Sequence, residues 1–536
     1  MNKKLFFTAL ILVITIFVLA MLLTMLPTSK PGLPPMPHPI PAQTITSELE
    51  MLIVINDGGE HPQFEKTPGT VKIPECTSRS FVLTGLTEEN VEAYTKEISR
   101  LQIRSVSLTK NLTDAWLKTY VNAGLLTNIT SLNLSLCDQL QEITPLTELQ
   151  NLTSLTLSEC RNVADITPLA KLQNLTSLTL NDCKKLTNIA SLAELPKITT
   201  LDFTGCDNLT DITPLAGLQN LTSLNFDSCK KLADITPLAG LSNLTALNLD
   251  SCDNLRDITP LAGLSNLTSL TLYGCDNLAD ITPLASLSNL TSLNLDSCDK
   301  LADITPLASL QKLTLLELSS CNNLTDITPL ANLQNLTSLY LGGYQNLTDI
   351  TPLAKLQNLT SLKLGGWPNL TNIKPLANLQ NLTSLYLRYS DNLTDITPLA
   401  QLSKLAVLNL ENCEKIRDIQ PLASLSNLEY LNLVSCKKID NFQPLAGLKK
   451  LEILGLTISH NDLSFLSNLR QLTYLYFDDC PKLSNLDPLA KMQNLDVLVL
   501  ERCKLVTDAM LDELRKKLPK QCSVSRSHPD DFFSFF

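Results

Sequence analysis

Apolar residues recur along most of the chain with a spacing that is typical of neither a long helix nor a long strand. From Leu209 to Phe226 an aliphatic or aromatic residue occupies nearly every third position. The end of this segment, Leu221-x-x-Leu224-x-Phe226, alternates apolar and polar residues. Alternation of this kind predicts a short strand with one buried face.

A tight helical turn is predicted between one strand and the next. The segment Asp211-Ile212-Thr213-Pro214-Leu215-Ala216 lies in this interval. Threonine followed by proline suits the cap and the first position of a helical turn, because the N–H that proline lacks has no intrahelical partner there. One coil is therefore expected to contain a strand, a bend, a short helical arc and a return, with neighbouring strands about 4.8 Å apart.

A cysteine follows the strand pattern once in every 23 residues. The series is Cys137, Cys160, Cys183, Cys206, Cys229, Cys252, Cys275, Cys298 and Cys321; Tyr344, Trp367 and Ser390 then hold this position before it returns to cysteine at Cys413 and Cys436. A fixed period in this range is typical of a solenoid, in which each repeat buries its apolar face against its neighbours. The spacing favours one buried free thiol per coil, donating to a backbone carbonyl, although neighbouring positions are close enough for disulfides.

The repeat has the form L-x-x-L-x-L-x-x-C, a leucine-rich repeat pattern with cysteine in the ladder position. The segment at 234–247, Asp-Ile-Thr-Pro-Leu-Ala-Gly-Leu-Ser-Asn-Leu-Thr-Ala-Leu, resembles the repeats of the bacterial internalin family, and the resemblance covers roughly residues 125–505. It implies an α/β solenoid: a leucine-rich repeat horseshoe with a parallel concave β-sheet, short helical or 3-10 convex arcs and helical end caps. It also implies adhesion or host-cell contact as one possible function.

The segments outside the repeats predict the remaining organisation. Residues 1–26 are expected to be a transmembrane signal anchor or a signal peptide, because Leu5–Leu26 has no charged residue and follows Lys3 and Lys4. A proline-rich linker is expected at 27–41, an N-terminal cap or stalk module at 42–100, the solenoid with a C-terminal helical cap at 101–520, and a tail at 521–536. The localisation that follows is a single-pass membrane protein with its repeat domain exported to the periplasm or cell surface, with secretion as the alternative.

Composition argues against several function classes. A net charge of −11 disfavours nucleic acid and anionic membrane surfaces as partners. The four histidines have neither metal-ligand nor catalytic-triad spacing, and no glycine-rich phosphate loop is present. We therefore expect a monomeric protein that is not an enzyme and has no cofactor or metal site. Asp227, Asp250 and Asp296 occupy equivalent positions and would suit calcium, but solubilising charge is the simpler interpretation.

The best candidate site lies where the cysteine series is interrupted. Tyr340, Lys363 and Tyr386 share one strand position, followed by Gly342-Gly343-Tyr344, Gly365-Gly366-Trp367 and Arg388-Tyr389. Paired glycines are expected to let the backbone rearrange and turn the large rings outward. Tyrosine, tryptophan and arginine contribute strongly at interfaces. The predicted ligand-binding residues on the concave face, for a protein or a glycan, are Tyr340, Tyr344, Lys363, Trp367, Tyr386, Arg388 and Tyr389.

The alternative is that these rings fill a wider interior corner, and that the chain is a structural envelope spacer with no specific ligand. The two hypotheses differ in a measurable property. A binding patch requires exposed rings, whereas a spacer allows Tyr344 and Trp367 to be buried in the ladder.

Overall fold

The computed structural model describes residues 43–47, 49–56, 63–73, 78–87, 89–108 and 112–526. Two segments of the sequence analysis lie outside these residues, the apolar segment Leu5–Leu26 and the proline-rich linker at 27–41, as do residues 527–536 of the predicted tail. The chain divides into two compact units, Met1–Leu221 and Thr222–Phe536. Each is described separately below.

The first unit contains ten described strands and two helices. The strands are β1 (Gln43–Ser47), β2 (Leu52–Asn56), β3 (Gln63–Lys66), β4 (Gly69–Ile73), β5 (Ser78–Val82), β6 (Ser105–Ser107), β7 (Ser131–Asn133), β8 (Ser154–Thr156), β9 (Ser177–Thr179) and β10 (Thr200–Asp202). The helices are α1 (Val91–Arg100) and α2 (Asp114–Asn122). β1 and β4 form an antiparallel pair. β2 pairs antiparallel with β3 and β5, and from β5 to β10 successive strands pair in parallel.

The second unit is a parallel sheet in which each strand pairs with the next along the chain. Its strands are β11 (Ser223–Asn225), β12 (Ala246–Asn248), β13 (Ser269–Thr271), β14 (Ser292–Asn294), β15 (Leu315–Glu317), β16 (Ser338–Tyr340), β17 (Ser361–Lys363), β18 (Ser384–Tyr386), β19 (Val407–Asn409), β20 (Tyr430–Leu433), β21 (Ile453–Leu456), β22 (Tyr474–Asp478), β23 (Val497–Glu501) and β24 (Ser523–Ser525). The helix α3 (Asp508–Arg515) lies between β23 and β24.

Short 3-10 helices connect the strands, as the sequence predicts. In the first unit they are Thr144–Glu148, Thr167–Lys171, Ala190–Glu194 and Thr213–Leu215. In the second they are Thr236–Leu238, Thr259–Gly263, Thr282–Ser286, Thr305–Ser309, Thr328–Asn332, Thr351–Lys355, Lys374–Asn378, Thr397–Gln401, Gln420–Ser424, Gln443–Gly447, Ser464–Asn468 and Asp487–Lys491. The predicted α/β solenoid of leucine-rich repeats is confirmed in both units.

The N-cap of the 3-10 helix lies one residue earlier than predicted. Thr213 is the first residue of the helix, and the N-cap, Ile212, makes no side-chain capping bond. Instead, the Thr213 N–H donates to Oδ1 of Asp211 at 2.9 Å. The same aspartate-to-threonine bond recurs in other coils, for example from Thr236 to Asp234 at 2.8 Å. Aspartate is the better cap here because its short carboxylate can fold back onto the N–H two residues later.

The core is built from the leucine positions of the repeat. Leu224, Leu247, Leu270 and Leu293 stand at the centres of successive strands and are at most 2% exposed. Most paired residues are 23 positions apart, as in the pair Leu224 and Leu247. Residues that flank each central leucine alternate to the other face of the sheet, called here the outward face. This register places one residue of every coil side by side along the outward face.

The predicted localisation as a single-pass membrane protein is corrected. Within the residues that the structure describes, no helix is both long and apolar enough to cross a bilayer. The segment Leu5–Leu26, from which the prediction was made, lies outside that part of the chain.

Candidate functional site

In most coils the ladder position holds a cysteine, and its hydrogen bonding is the reference for the coils of the candidate site. The ladder cysteines are free thiols and buried. Cys321 illustrates the arrangement: its Sγ donates to the carbonyl oxygen of Leu295, 26 positions earlier, at 3.2 Å. Burial raises the pKa of the Cys321 thiol to about 12. The thiol thus satisfies a buried carbonyl group at the bend of the preceding coil.

Tyr344 and Trp367 occupy the thiol position in the next two coils. Trp367 is 0% exposed and Tyr344 is 1% exposed. The Trp367 Nε1–H donates to Leu341 O at 2.5 Å, and the Tyr344 hydroxyl donates to Leu318 O. Each acceptor again lies 26 positions earlier, so the two rings take over the hydrogen bond that cysteine makes elsewhere. The rings pack edge to face, with centroids 5.5 Å apart.

The prediction that Tyr344 and Trp367 turn outward is therefore wrong. The expected backbone rearrangement does not occur: Gly343 and Gly366 have φ angles of +79° and +75°, in the same left-handed region as Ser320 at +58°. Each of these residues precedes the ladder residue of its coil. The left-handed backbone is thus a property of the repeat, and it keeps the ladder side chain pointing inward whatever its size. Tyr344 and Trp367 are interior residues and cannot contact a ligand from there.

The other five predicted residues come together on the outward face. Tyr340, Lys363 and Tyr386 pair directly with one another across β16, β17 and β18. Lys363 Nζ lies 4.7 Å from the ring centroid of Tyr340 and 5.1 Å from that of Tyr386. The ammonium group is therefore held between two aromatic faces, an arrangement that stabilises a cation by about 0.5–2 kcal/mol per ring, depending on solvent exposure.

Arg388 and Tyr389 lie at the end of the same three-strand segment. The Arg388 Cζ is 5.9 Å from the Tyr389 ring centroid, and Tyr389 is 47% exposed. Among the residues that the structure describes, the Arg388 guanidinium makes no hydrogen bond or ion pair with a side chain or carbonyl. Five N–H donors of a partly buried arginine are thus available to an anionic group.

Glycines form the floor between these side chains. A Cβ added to Gly365 would lie 2.9 Å from Cγ of Arg388, and one added to Gly342 would lie 3.2 Å from the carbonyl oxygen of Gly365. The equivalent position in the coil before Gly342 carries Ser319, whose Oγ accepts the Gly342 N–H at 3.0 Å. The two glycines therefore remove side chains where other coils carry them and leave room for the Arg388 stem.

The result is a cavity of about 420 Å³ on the outward face. Its lining residues are Asp296, Ser319, Ser320, Tyr340, Gly342, Gly343, Lys363, Gly365, Gly366, Tyr386, Arg388 and Tyr389. The size falls within the range of about 300–1,000 Å³ that is typical of ligand pockets. We call it the glycine-floored pocket. It contains all five outward residues of the sequence prediction and neither of the two buried rings.

The charges in and beside the pocket are arranged asymmetrically. Glu317 pairs with Tyr340 on the side of β15, and Arg388 lies on the opposite side. Burial lowers the pKa of Lys363, the charge of Arg388 lowers it further, and Glu317 opposes both. Burial, and then the charge of Asp296, raise the pKa of Glu317. Sequence reasoning missed Glu317, although extending the row from Tyr340 by one coil would have found it.

The aspartate row that suggested calcium has a structural role. Asp250 Oδ1 accepts the Tyr273 N–H of the next coil at 2.7 Å, and Asp296 accepts the Ser319 N–H. Burial raises the pKa of Asp250 to about 6, the Tyr273 N–H opposing the shift and Asp227 adding to it. Across the described residues, no group of three or more histidine, cysteine, aspartate or glutamate side chains is placed to hold a metal ion.

Comparison with protein families identifies the repeats. The BspA-type leucine-rich repeat region matches residues 127–247, and the leucine-rich repeats of RPS2-like plant disease resistance proteins match 234–362 and 282–414. A two-copy leucine-rich repeat model matches 403–447. These matches together follow the part of the chain that the period of 23 predicts to be a solenoid.

Comparison with solved structures shows which family of leucine-rich repeat proteins the chain belongs to. The internalin InlF of Listeria monocytogenes is 34% identical, with a TM-score of 0.52, and the match covers 58% of this chain and 88% of that one. The chain is an internalin-like leucine-rich repeat protein. A leucine-rich repeat protein of Leptospira interrogans matches the internalin-like chain with 22% identity and a TM-score of 0.59, over 78% of this chain and 98% of that one. The latter similarity concerns the fold alone.

A third match is the functional domain of InlJ from Listeria monocytogenes, which is described as including a cysteine ladder. It is 26% identical, with a TM-score of 0.45, and the match covers 66% of the internalin-like chain and 68% of the InlJ chain. Among curated proteins, none matches the sequence.

Proposed function

We propose that this internalin-like chain is a binding protein that recognises a protein ligand on the outward face of its sheet, centred on the glycine-floored pocket. The carrying observation is that five predicted residues converge on one cavity: Tyr340, Lys363, Tyr386, Arg388 and Tyr389. They project from adjacent strands of a hydrogen-bonded sheet. A rigid sheet holds such side chains in place before the ligand arrives, which reduces the entropy lost on binding.

The chemistry of the pocket favours a protein segment that carries a carboxylate. Arg388 offers a planar set of donors that fits a carboxylate in a bidentate manner. Lys363 adds a second positive charge in the same cavity. A sugar ring stacks on an open aromatic face, and Lys363 already covers one face each of Tyr340 and Tyr386, which leaves fewer such faces in the pocket. A glycan ligand is therefore the less favoured outcome. The similarity to internalins supports an adhesion-like use and assigns no reaction to the site.

A structural spacer is the second candidate, and one observation favours it. Tyr344 and Trp367 are buried in the ladder, as that hypothesis allows. Interior rings alone would explain the loss of the ladder cysteine from these two coils. They do not explain why Gly342 and Gly365 open a cavity on the opposite face of the sheet. Nor do they explain why, among the described residues, the Arg388 guanidinium in that cavity has no hydrogen-bond or ion-pair partner.

The test is a binding screen with matched variants. The purified full-length chain is screened against arrays of extracellular proteins and of glycans, and each binder is measured again with Arg388→Gln and Lys363→Gln. The matched control is Asn248→Gln, which alters the Lys363 position in a coil remote from the pocket. We expect a protein ligand whose affinity falls at least about 10-fold with Arg388→Gln, the loss expected for one charge-assisted hydrogen bond, and is unchanged in the control.

Two results would oppose the proposal. Binders whose affinity is insensitive to Arg388 and Lys363 would place recognition elsewhere on the chain. The absence of any binder would leave the spacer hypothesis as the better account. Arginine-dependent binding to glycans alone would keep the site and change the class of ligand.

A further inference from the structure

The glycine-floored pocket has ends of opposite charge. Asp296 lies in its lining at one end and Arg388 at the other. Both residues occupy the same position of the repeat, and the coils between them place Ser319, Gly342 and Gly365 there. The backbones of Asp296 and Arg388 are therefore four strand spacings apart, or about 19 Å. This length suits a segment of several residues and exceeds what a single carboxylate needs.

The opposite charges are kept apart within the structure. Glu317 pairs with Tyr340 across β15 and β16, and Tyr340 pairs with Lys363 across β16 and β17. The aromatic residue thus stands between the carboxylate and the ammonium group in this row. Among the described residues, neither Asp296 nor Glu317 forms an ion pair. The two ends of the pocket therefore do not neutralise each other through direct contact.

The hydrogen-bond donors to the two carboxylates are uncharged. Asp296 accepts the backbone N–H of Ser319, and Oε2 of Glu317 accepts Nδ2–H of Asn294 at 2.6 Å. Burial raises the pKa of both carboxyl groups. A carboxylate that has lost part of its hydration and has no cationic partner gains stability from a positive charge placed next to it. The acidic end of the pocket therefore favours a cationic group on a ligand.

An exposed aromatic residue borders the acidic end. Tyr273 is 46% exposed and lies in the coil directly before Asp296, where the N–H of Gly274 donates to Asp296 O at 2.9 Å. A carboxylate attracts an ammonium or guanidinium group by its charge, and an aromatic face attracts the same group through its quadrupole. Tyr273 and Asp296 therefore offer two kinds of attraction to a basic side chain.

The basic end of the pocket also keeps its charge available. Glu411 lies one coil beyond Arg388, and its carboxylate accepts hydrogen bonds from the side-chain amides of Asn412 at 3.3 Å and Asn432 at 3.4 Å. These neutral donors hold Glu411, and within the described chain it forms no ion pair with Arg388. The guanidinium group can therefore take a carboxylate from a ligand.

We propose that the pocket takes a bipolar segment of a partner protein, with a basic side chain against Asp296 and Glu317 and an acidic side chain against Arg388 and Lys363. This inference rests on the proposed function and narrows its class of ligand.

The spacing of the charges sets the spacing within the segment. Glu317 and Lys363 are two strand spacings apart, or about 10 Å, and Asp296 and Arg388 are about 19 Å apart. At about 3.3 Å per residue, an extended segment spans these distances when its basic and acidic residues are about three to six positions apart. A segment with acidic residues alone would leave the acidic end without a partner and would be repelled by it.

Peptide display tests the proposal with the full-length chain. Random peptides of about 12 residues are displayed on phage and selected on the wild type and on single variants. We expect the wild type to enrich peptides with a basic and an acidic residue about three to six positions apart. Selection on Arg388→Gln should lose the preference for the acidic residue, and selection on Glu317→Gln or Asp296→Asn the preference for the basic one. The matched control is Asp227→Asn, which changes the repeat position of Asp296 outside the pocket and should keep both preferences.

A double-mutant cycle tests the pairing at the acidic end directly. One enriched peptide is measured by calorimetry with its basic residue present or replaced by norleucine, against the wild type and Glu317→Gln. The change in the peptide leaves the protein intact, so a loss of affinity there does not reflect misfolding. We expect each single change to weaken binding about 5-fold or more, and the second change to add less than about 2-fold, because both remove the same interaction. Independent, additive losses would overturn the pairing.

The outcomes separate this inference from the proposed function. Enriched peptides that carry only acidic residues and bind through Arg388 would refute the bipolar ligand and leave the proposed function in place. Peptides that carry only basic residues would refute it as well. Binding that is insensitive to both Arg388 and Glu317 would place recognition outside the pocket and overturn both. The absence of any enriched peptide would overturn the bipolar segment, and the array screen would still decide the proposed function.

Discussion

The indole N–H of Trp367 donates to the carbonyl oxygen of Leu341 at 2.5 Å, in the interior corner where coils outside the interruption, such as that of Cys321, place a cysteine thiol. Trp367 is 0% exposed, so the much larger ring is accommodated entirely inside the solenoid. Where Tyr344 and Trp367 interrupt the cysteine series, the interior corner of the coil is therefore enlarged to hold a ring. On the outward face of the same coils, the absence of side chains at Gly342 and Gly365 opens the pocket.

Trp367→Cys should destabilise the protein although cysteine is the usual residue at this position. The enlarged corner would lose most of the ring volume, and large-to-small changes of a buried tryptophan cost about 3–5 kcal/mol. Urea unfolding followed by circular dichroism measures the change. Tyr344→Phe, which keeps the ring and removes only the hydroxyl bond to Leu318 O, should cost less, about 1–3 kcal/mol. A Trp367→Cys protein as stable as the wild type would show that the corner is no larger than elsewhere.

Ser390→Cys should stabilise the ladder. Ser390 is 0% exposed and its hydroxyl has no hydrogen-bond partner in the described structure. In the following coil, Cys413 Sγ reaches Leu387 O at 3.2 Å. A longer and less polar thiol at 390 should remove the cost of the buried hydroxyl and gain about 1 kcal/mol. Thermal unfolding compares this variant with Ser384→Cys, which changes the outward face of the same coil. A lower stability for Ser390→Cys would show that the ring of Trp367 leaves no room there.

Asp250→Asn should stabilise the protein at neutral pH and weaken its pH dependence. The folded-state pKa of Asp250 is raised to about 6, mainly by burial. A carboxyl group with a raised folded pKa favours the folded state below its unfolded pKa of about 3.9, and this contribution is lost as pH rises through 6. Asparagine can still accept the Tyr273 N–H through Oδ1.

The expected gain at pH 7 is about 1–3 kcal/mol, and at pH 4 the two proteins should be nearly equal. Urea midpoints between pH 4 and pH 7 provide the measurement. Asp257→Asn is a suitable comparison, because neighbouring N–H and hydroxyl groups lower the pKa of that exposed carboxyl. Parallel stability profiles for the wild type and Asp250→Asn would contradict the assignment.

The ladder thiols should be inert in the folded protein. Cys206, Cys275 and Cys413 are fully buried, and burial raises the pKa of each to about 12. Because the thiolate is the reactive form, labelling by an iodoacetamide reagent at pH 8 should proceed at the rate of unfolding. Cys522 is only half-buried, although its pKa is raised to about 11, and should be labelled first. Peptide mapping resolves the individual sites; rapid labelling of Cys275 in native buffer would show that the ladder opens.

The repeat itself was predictable because one period determines strand, turn and ladder together. Register along the sheet follows from the same period, so the alignment of Tyr340, Lys363 and Tyr386 could be predicted from the sequence alone. The direction of Tyr344 and Trp367 was not predictable in this way. Spacing specifies the position that a residue occupies, but the left-handed backbone that Gly343 shares with Ser320 decides where the next side chain points.

The pocket was only partly visible in the sequence. Its aromatic and basic residues were recognised from their chemistry, whereas its shape depends on the absence of side chains at Gly342 and Gly365. Such a cavity appears only when three neighbouring coils are stacked. Tyr476 and Val499 escaped notice for a similar reason: they look like ordinary strand residues until the pairing places both on the outward face.

The most direct test of the central claim is amide hydrogen exchange of the full-length chain, alone and saturated with a protein ligand found in the binding screen. We predict that protection on binding is concentrated at 340–343, 363–366 and 386–389, the three segments that line the glycine-floored pocket. At a ligand concentration close to the wild-type dissociation constant, protection there should be much weaker in the Arg388→Gln protein. Protection confined to other coils, with these three segments unchanged, would contradict the account.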